Sequence, residues 1–407
     1  MDIIKTNKVK ICIAAILYST AMMFVSGSIL QAFMLAYGMS DGQVYLFNSI
    51  TQWAQVAAML LMLFFADKIK KTITVTAFFG LGLAFLSAVF LIAVLDKNGS
   101  LRAWFAIFCA VAAVSYFVLG MYNVVCYRIP YHAYNVKDYG VMTGISATIA
   151  GAGTFALSFL YTFIVRKLPY FTAVTIFFSL ALVCFIVTFL FNVSLKDVSQ
   201  QFPEQLPRKN ASGFREVLKN KDTWFLLVPN FTRGLAQGIF SVLTVVGLSM
   251  EILNTKTSTY VNVVIQVSIL LSNFSFIFLC KKFKSSTITI VFTALICVAF
   301  PLLVVRGKLV DYLIGYFFIS FFITIIGTAI PLTVTEVVPA EQIGAFTSIR
   351  MMVFTAGNAV SSLLIMPIAR LVGYVGLLVF ASVMQLICGL AYFWVGLRGR
   401  QRKKQTE

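Results

Sequence analysis

The chain is poor in charge, poorest in acids, and nearly without histidine. Asp, Glu, Lys and Arg together make up 11% of its 407 residues, against about 25% in an ordinary soluble domain. The 14 acids and the single histidine, His132, supply little for general acid–base work or for a metal centre. Nor does any HExxH, GxSxG, Walker A or GxGxxG pattern occur. An enzyme is therefore not expected, and neither is a cofactor or a bound metal. Cysteine is also uninformative as chemistry. Its seven copies (Cys12, Cys109, Cys126, Cys184, Cys280, Cys297, Cys388) are odd in number and lack CxxC spacing. They lie in or at the ends of apolar runs and read as packing residues.

Apolar sequence fills the space that charge leaves. The hydrophobic fraction is 60%, phenylalanine occurs 40 times, and the mean hydropathy is +0.93. Runs of about 20 apolar residues, each long enough to cross roughly 30 Å of hydrocarbon, recur along the whole chain. About twelve are expected. Six lie near 11–37, 43–66, 72–95, 103–126, 141–165 and 170–192. Six more lie near 224–250, 259–280, 286–305, 310–333, 344–369 and 373–397. The opening MDIIKTNKVK leads into a run too long for a signal peptide and without a small-residue cleavage site, so it reads as an uncleaved first helix. The expected fold class is an all-α polytopic membrane protein.

The net charge of +18 invites a nucleic-acid reading, but its distribution points to lipid. With both termini on one side, about 23 Lys and Arg fall on that side and about 8 on the other, loop by loop. Lys5, Lys8, Lys10, Lys68, Lys70, Lys71, Lys281, Lys282, Lys284 and the tail from Arg398 carry much of the bias. This is the positive-inside pattern. It places both termini in the cytoplasm, most simply at the plasma membrane, with membrane lipid and no nucleic acid as partner, and a monomer is expected.

The longest polar interval holds SQQFPEQLPRKNASGFREVLKNKD, with two prolines and mixed charge. The expected organisation is a six-helix bundle over 1–193, a cytoplasmic linker over 194–223, and a second six-helix bundle with a basic tail over 224–407. The halves resemble each other. An offset of 204 pairs Gly140 with Gly344, Thr143 with Thr347, Ser158 with Ser362 and Arg166 with Arg370. An offset of 214 pairs Asn48 with Asn262, Gln52 with Gln266 and Lys68 with Lys282. Parallel six-helix repeats related by an axis along the membrane normal are a known transporter plan.

On this architecture the chain resembles the major facilitator superfamily. A short motif adds to the resemblance: the family's loop between helices 2 and 3 reads roughly G-x-x-x-D-[RK]-x-G-[RK]-[RK], and the same place here reads LFFADKIKK. Asp67, Lys68 and Lys71 match, while Leu63 and Lys70 stand where glycines belong. The resemblance implies two bundles with pseudo-twofold symmetry, alternating access about a site near the bilayer midplane, and a gating latch at Asp67 and Lys68. There are departures. The fourth helix lacks a central arginine, Arg128 lying at its inner end, and the fifth lacks a glycine-proline signature. Gly140, Gly144, Ala147 and Gly151 fall on one face of that fifth helix and predict close helix packing.

The seventh span carries the residue that asks most of the membrane. Asn230, Arg233, Gln237, Ser241 and Thr244 are spaced 3, 4, 4 and 3, a single stripe of an α-helix. A central arginine costs about 2.5–3.5 kcal/mol on insertion scales, and no acid lies near the middle of any span. Water, carbonyls, polar side chains or an incoming anion remain. A guanidinium fork suits carboxylate or phosphate. Two readings stand: Arg233 binds an anionic substrate, or it braces a helix interface.

Polar residues on other spans are candidates for the same pathway: Gln52 beside Asn48 and Gln55, Tyr116 and Asn123, Gln266 beside Asn262 and Asn273, and Asn358 beside Ser361. Each could equally brace helices. Arg350 is placed near the inner end of its helix, snorkelling or paired with Glu336 or Glu341. The expected function is secondary-active or facilitative transport of a small organic solute, anionic by preference, with a coupling ion or counter-anion open. Efflux of amphipathic drugs, and a polytopic receptor or scaffold without transport, are the alternatives.

Overall fold

The computed structural model describes residues 3–65, 69, 71–96, 100–126, 129–135, 138–201, 221–305, 307–338 and 343–406. Among them every regular element is helical. The chain divides into two compact units, Met1–Lys209 and Asn210–Glu407.

The first unit contains α1 (Ile3–Val25), α2 (Gly27–Ala36), α3 (Asp41–Phe65), α4 (Thr72–Gly80), α5 (Gly82–Leu95), α6 (Leu101–Val125), the short α7 (Ile129–Ala133), α8 (Tyr139–Lys167) and α9 (Tyr170–Val193). Gly27, at φ 64, separates α1 from α2 within one long apolar stretch, Ile3–Ala36. Gly38, at φ 104, ends α2 with paired bonds, Gly38 N–H to the Leu35 carbonyl and Met39 N–H to that of Met34. That is the left-handed helix stop that glycine adopts without a Cβ clash.

The core of this unit is aromatic. Phe33 meets Phe178 edge-on at 5.1 Å, Phe90 meets Phe108 at 4.8 Å, and Phe24 stacks on Phe177 at 4.7 Å. The opposite surface is equally greasy: Phe64, Phe85 and Val114 are each about two-thirds exposed. A water-soluble protein would not display large side chains so freely around every helix, whereas lipid accepts them. Several polar residues within the helices bond to backbone carbonyls. Thr154, Ser158 and Thr162 each donate to the carbonyl four residues earlier, and Ser87 donates across to Phe178.

Of the small-residue face expected to pack on the fifth span, Gly151 is half-buried, and the burial of Gly140 and Gly144 lies outside the described residues. Ala147 is exposed, and the buried face of α8 instead runs through Ala150, Thr154, Ser158 and Val165. Small residues permit close approach but do not cause it.

One end of the first unit is tied by polar contacts. Asn7, only 1% exposed, donates to the carbonyls of Ala133 and Lys196 and accepts from Lys196 N–H. Lys8 pairs with Asp138 at 2.7 Å, and His132 meets Asp197 at 3.1 Å. Burial alone would raise the Asp197 carboxyl, but hydrogen bonds from Ser199 and the facing His132 hold it below the ordinary value of 3.8.

The second unit contains α10 (Lys221–Ser241), α11 (Leu243–Ser249), α12 (Ser258–Lys282), α13 (Ser285–Val305), α14 (Leu309–Val337) and α15 (Ile343–Thr406). A bend of 43° separates α10 from α11. Gly373, at φ 71 and ψ 176, breaks α15 into two arms. Phe276, Ile288, Ile325 and Ala329 form a buried cluster where α12, α13 and α14 meet.

By length and apolarity eight helices qualify as membrane spans among the described residues, or nine if the bent pair is one span. The expected number was about twelve. Phe346–Arg398 enters as one span although the Gly373 break divides it. Of α13 only Ser285–Val298 enters, as a shorter apolar helix.

Candidate functional site

The polar stripe of the seventh span lies on α10, but its members do different things. Asn230 is fully buried and donates to the Leu226 carbonyl and to the Tyr392 hydroxyl, both at 2.6 Å. It locks α10 to the second arm of α15. Ser241 donates to the Gly238 carbonyl at 2.8 Å, and Thr244 is buried beyond the bend. Arg233, Gln237 and Ser241 are the partly accessible members. Gln237 makes no hydrogen bond among the described residues.

Glycine brings α10 against the first arm of α15. A Cβ added at Gly234 would strike the Phe354 carbonyl oxygen, and one at Gly357 that of Phe231. A Cβ at Gly238 would lie 2.6 Å from Ser361 Oγ and 2.8 Å from Asn358 Oδ1. Backbones therefore touch along this crossing, the small-residue packing common in membranes. Pro229 sits inside α10 one turn before Arg233. Its ring lacks the N–H that would bond the Phe225 carbonyl.

The close crossing sets where the guanidinium of Arg233 goes. It lies over the Phe354 ring at 5.1 Å. Its Nη2 would be 3.4 Å from a Cβ at Gly327, so the missing side chain on α14 leaves that edge room. Neither carboxylate nor hydrogen bond holds Arg233 among the described residues. Its electrostatic neighbours are Cys388, Arg350 and Tyr392.

Arg350 does not snorkel as expected: it is 7% exposed, its Nε has no hydrogen-bond partner, and no acid among the described residues pairs with it. Its one polar contact runs from Nη2 to the Met351 sulfur at 4.0 Å. Glu341 and the side chain of Glu336 lie outside the described residues. The signal was present in the sequence. Arg350, Phe354, Asn358 and Ser361 are spaced 4, 4 and 3, the same stripe pattern as on the seventh span, facing it.

Asn358, 8% exposed, presents an Oδ1 without a partner beside Gly238. Gln266 lies on α12 and is partly accessible. In the first unit Gln52 lies on α3 and Tyr116 and Asn123 on α6, two helices that pack directly on each other. Gly120 makes that contact possible, since a Cβ there would meet the Gln55 carbonyl at 2.9 Å. Tyr116 is 7% exposed, whereas Gln52 and Asn123 are partly accessible. Near them Tyr18 stacks on Tyr122 at 5.4 Å. Asp67 and Lys68, the expected latch, lie outside the described residues.

The family model described as the Major Facilitator Superfamily matches residues 11–362. A search of curated proteins finds no match. Among solved structures the chain is similar to a D-xylose–proton symporter, at TM-score 0.72 and 11% identity over 96% of this chain and 98% of that one. It is also similar to a nucleoside transporter, at TM-score 0.65 and 13% identity over 98% and 99%. A fucose:proton symporter from E. coli gives TM-score 0.65 and 13% identity over 96% and 98%. At such identities the likeness is one of fold.

Proposed function

The chain belongs to the major facilitator superfamily, a multi-pass integral membrane protein and secondary-active transporter of small solutes, and on that premise we propose that its substrate is a small organic anion held by Arg233. The observation that carries this reading is a partly accessible arginine with no carboxylate or hydrogen-bond partner among the described residues, seated on an aromatic ring. Arginine stays protonated in any protein setting. A permanent cation within a span needs compensation, and an anion entering from water supplies it in both directions of travel. Gln237 and Asn358 flank the same crossing and would orient the ligand; Ser241 sits at its far end.

Alternating access would carry the anion. The bundles at 1–193 and 224–407 with the linker at 194–223, the gating role of Asp67 and Lys68, and cytoplasmic termini at the plasma membrane belong to the same proposal. So do a monomeric state and contributions from Gln52, Tyr116, Asn123 and Gln266. The similar structures are named as proton symporters of sugars and as a nucleoside transporter, and coupling to an ion is compatible with the anion reading. Asn230 is assigned to bracing, because it is buried and its amide nitrogen donates to both Leu226 and Tyr392.

The test is flux into proteoliposomes of an anion found by a thermal-shift screen of organic anions, sugars, amino acids and amphipathic drugs. Arg233→Ala is expected to abolish uptake, and Arg233→Lys to weaken affinity by roughly tenfold or more by replacing a fork with a point charge. Unchanged transport and affinity in both variants sinks the proposal. Stabilisation by amphipathic drugs alone, with drug export from vesicles, would establish the efflux alternative instead.

A further inference from the structure

Resting on the reading of Arg233 as the anion-holding residue, we infer that Arg350 is a second anion-binding residue of that site, and that the anion carries two negative charges. Dicarboxylates and phosphate monoesters share this chemistry.

Arg350 has the marks of a group waiting for a ligand. It is more than nine-tenths buried, yet Nε lacks a partner and the remaining polar contact is a long one to sulfur. An arginine that merely braced helices would direct its fork at carbonyls, which abound at helix ends. Burying a charge with unmet donors is among the most costly arrangements a fold can hold. Deprotonation offers no escape for a guanidinium.

Its position connects it to Arg233. Arg350 and Phe354 are one turn apart on the same face of α15, and the Arg233 guanidinium rests on the Phe354 ring. Both arginines act on the same two groups of the second arm of α15, the Cys388 thiol and the Tyr392 hydroxyl. Tyr392 is itself anchored by Asn230 at 2.6 Å. Two like charges thus share one neighbourhood, and no acid among the described residues separates them. A monoanion would leave one of them uncompensated. A dianion neutralises both and can accept from both forks.

Ligand binding to purified full-length protein tests this, by calorimetry at pH 7.5 with four probes. Succinate is compared with monomethyl succinate, and glycerol 3-phosphate with its methyl diester, so that each dianion has a one-charge control and the two sources of double charge are separated. The wild-type protein is expected to bind at least one dianion about tenfold or more tightly than its control. Arg350→Gln should weaken that dianion by about tenfold while moving its control less than about threefold, and Arg350→Lys should keep most of the preference. Should Arg350→Gln fail to give folded protein, the wild-type ratio and Arg350→Lys decide. Equal binding of dianion and control, no binding of either dianion, or an unchanged ratio in Arg350→Gln overturns the inference. Loss of binding in Arg233→Ala with no effect at Arg350 sinks this inference alone. Indifference to both arginines sinks the proposed function with it.

Discussion

Replacing Gly234 by alanine adds one methyl group at the tightest point of the second unit. The new Cβ would face the Phe354 carbonyl oxygen, with the Asn358 nitrogen and the Gly357 Cα each at 3.0 Å. All three are backbone atoms, so no side chain can swing aside. Ordinary contact distances can be regained only if α10 and the first arm of α15 part by about an ångström, in an interior packed as densely as a crystal. Such overpacking costs about 1–3 kcal/mol. Strain on the nearby Asn230–Tyr392 bond adds about 0.6 kcal/mol, the average for interhelical hydrogen bonds in membranes. The better helix propensity of alanine returns about 1 kcal/mol. The net expectation is destabilisation by about 0.6–2.6 kcal/mol. Gly42→Ala is the control: that glycine lies in α3 with nothing within 4 Å of an added Cβ, and the substitution should be neutral or stabilising by up to about 1 kcal/mol. Thermal unfolding of both variants in detergent reads the difference. If Gly234→Ala melts at or above the wild-type temperature, the close crossing that positions Arg233 is wrong.

Three further outcomes are expected. Asn7→Ala removes a buried amide that serves Ala133 and Lys196, leaving their backbone groups unpaired, and should cost about 2 kcal/mol in thermal unfolding. Tyr392→Phe removes one of the two acceptors of Asn230 and should cost about 1 kcal/mol without changing the fold, as read by the same melts. Asp197→Asn should cost little at neutral pH, under about 1 kcal/mol, because the Asp197 side chain is half exposed. Since the folded state holds the Asp197 carboxyl below 3.8, its contribution is present above that value and fades as pH falls through it. Melting curves of wild type and variant should therefore converge as pH falls below 3.8; a gap that persists in strong acid, with the carboxyl protonated, would contradict the assignment.

Hydropathy alone carried the class, because lipid demands long apolar helices and imposes that demand on every span. Glycine at φ 64 before α2 and φ 71 within α15 marks helix breaks that a smoothed apolar profile passes over. The stripe on the seventh span was readable from its spacing of 3, 4, 4 and 3. Which of its members brace and which face an accessible space was not. Asn230 and Arg233 share a stripe, yet one finds the Tyr392 hydroxyl and the other finds only an aromatic ring. On the fifth span Ala147 of the expected small face is exposed while Ala150 is buried, since small side chains allow contact on any face and the partner helix chooses.

The sequence by itself determined that this chain is a multi-helix membrane protein, and that it carries a fixed cation with no acid near it in sequence. Both follow from composition and periodicity, which the solvent reads residue by residue. Only the tertiary structure decided that Arg233 rests on Phe354, one turn from Arg350. That placement depends on Gly234, Gly238 and Gly357 letting two backbones touch, and which residues meet across more than a hundred positions is not set by either helix alone.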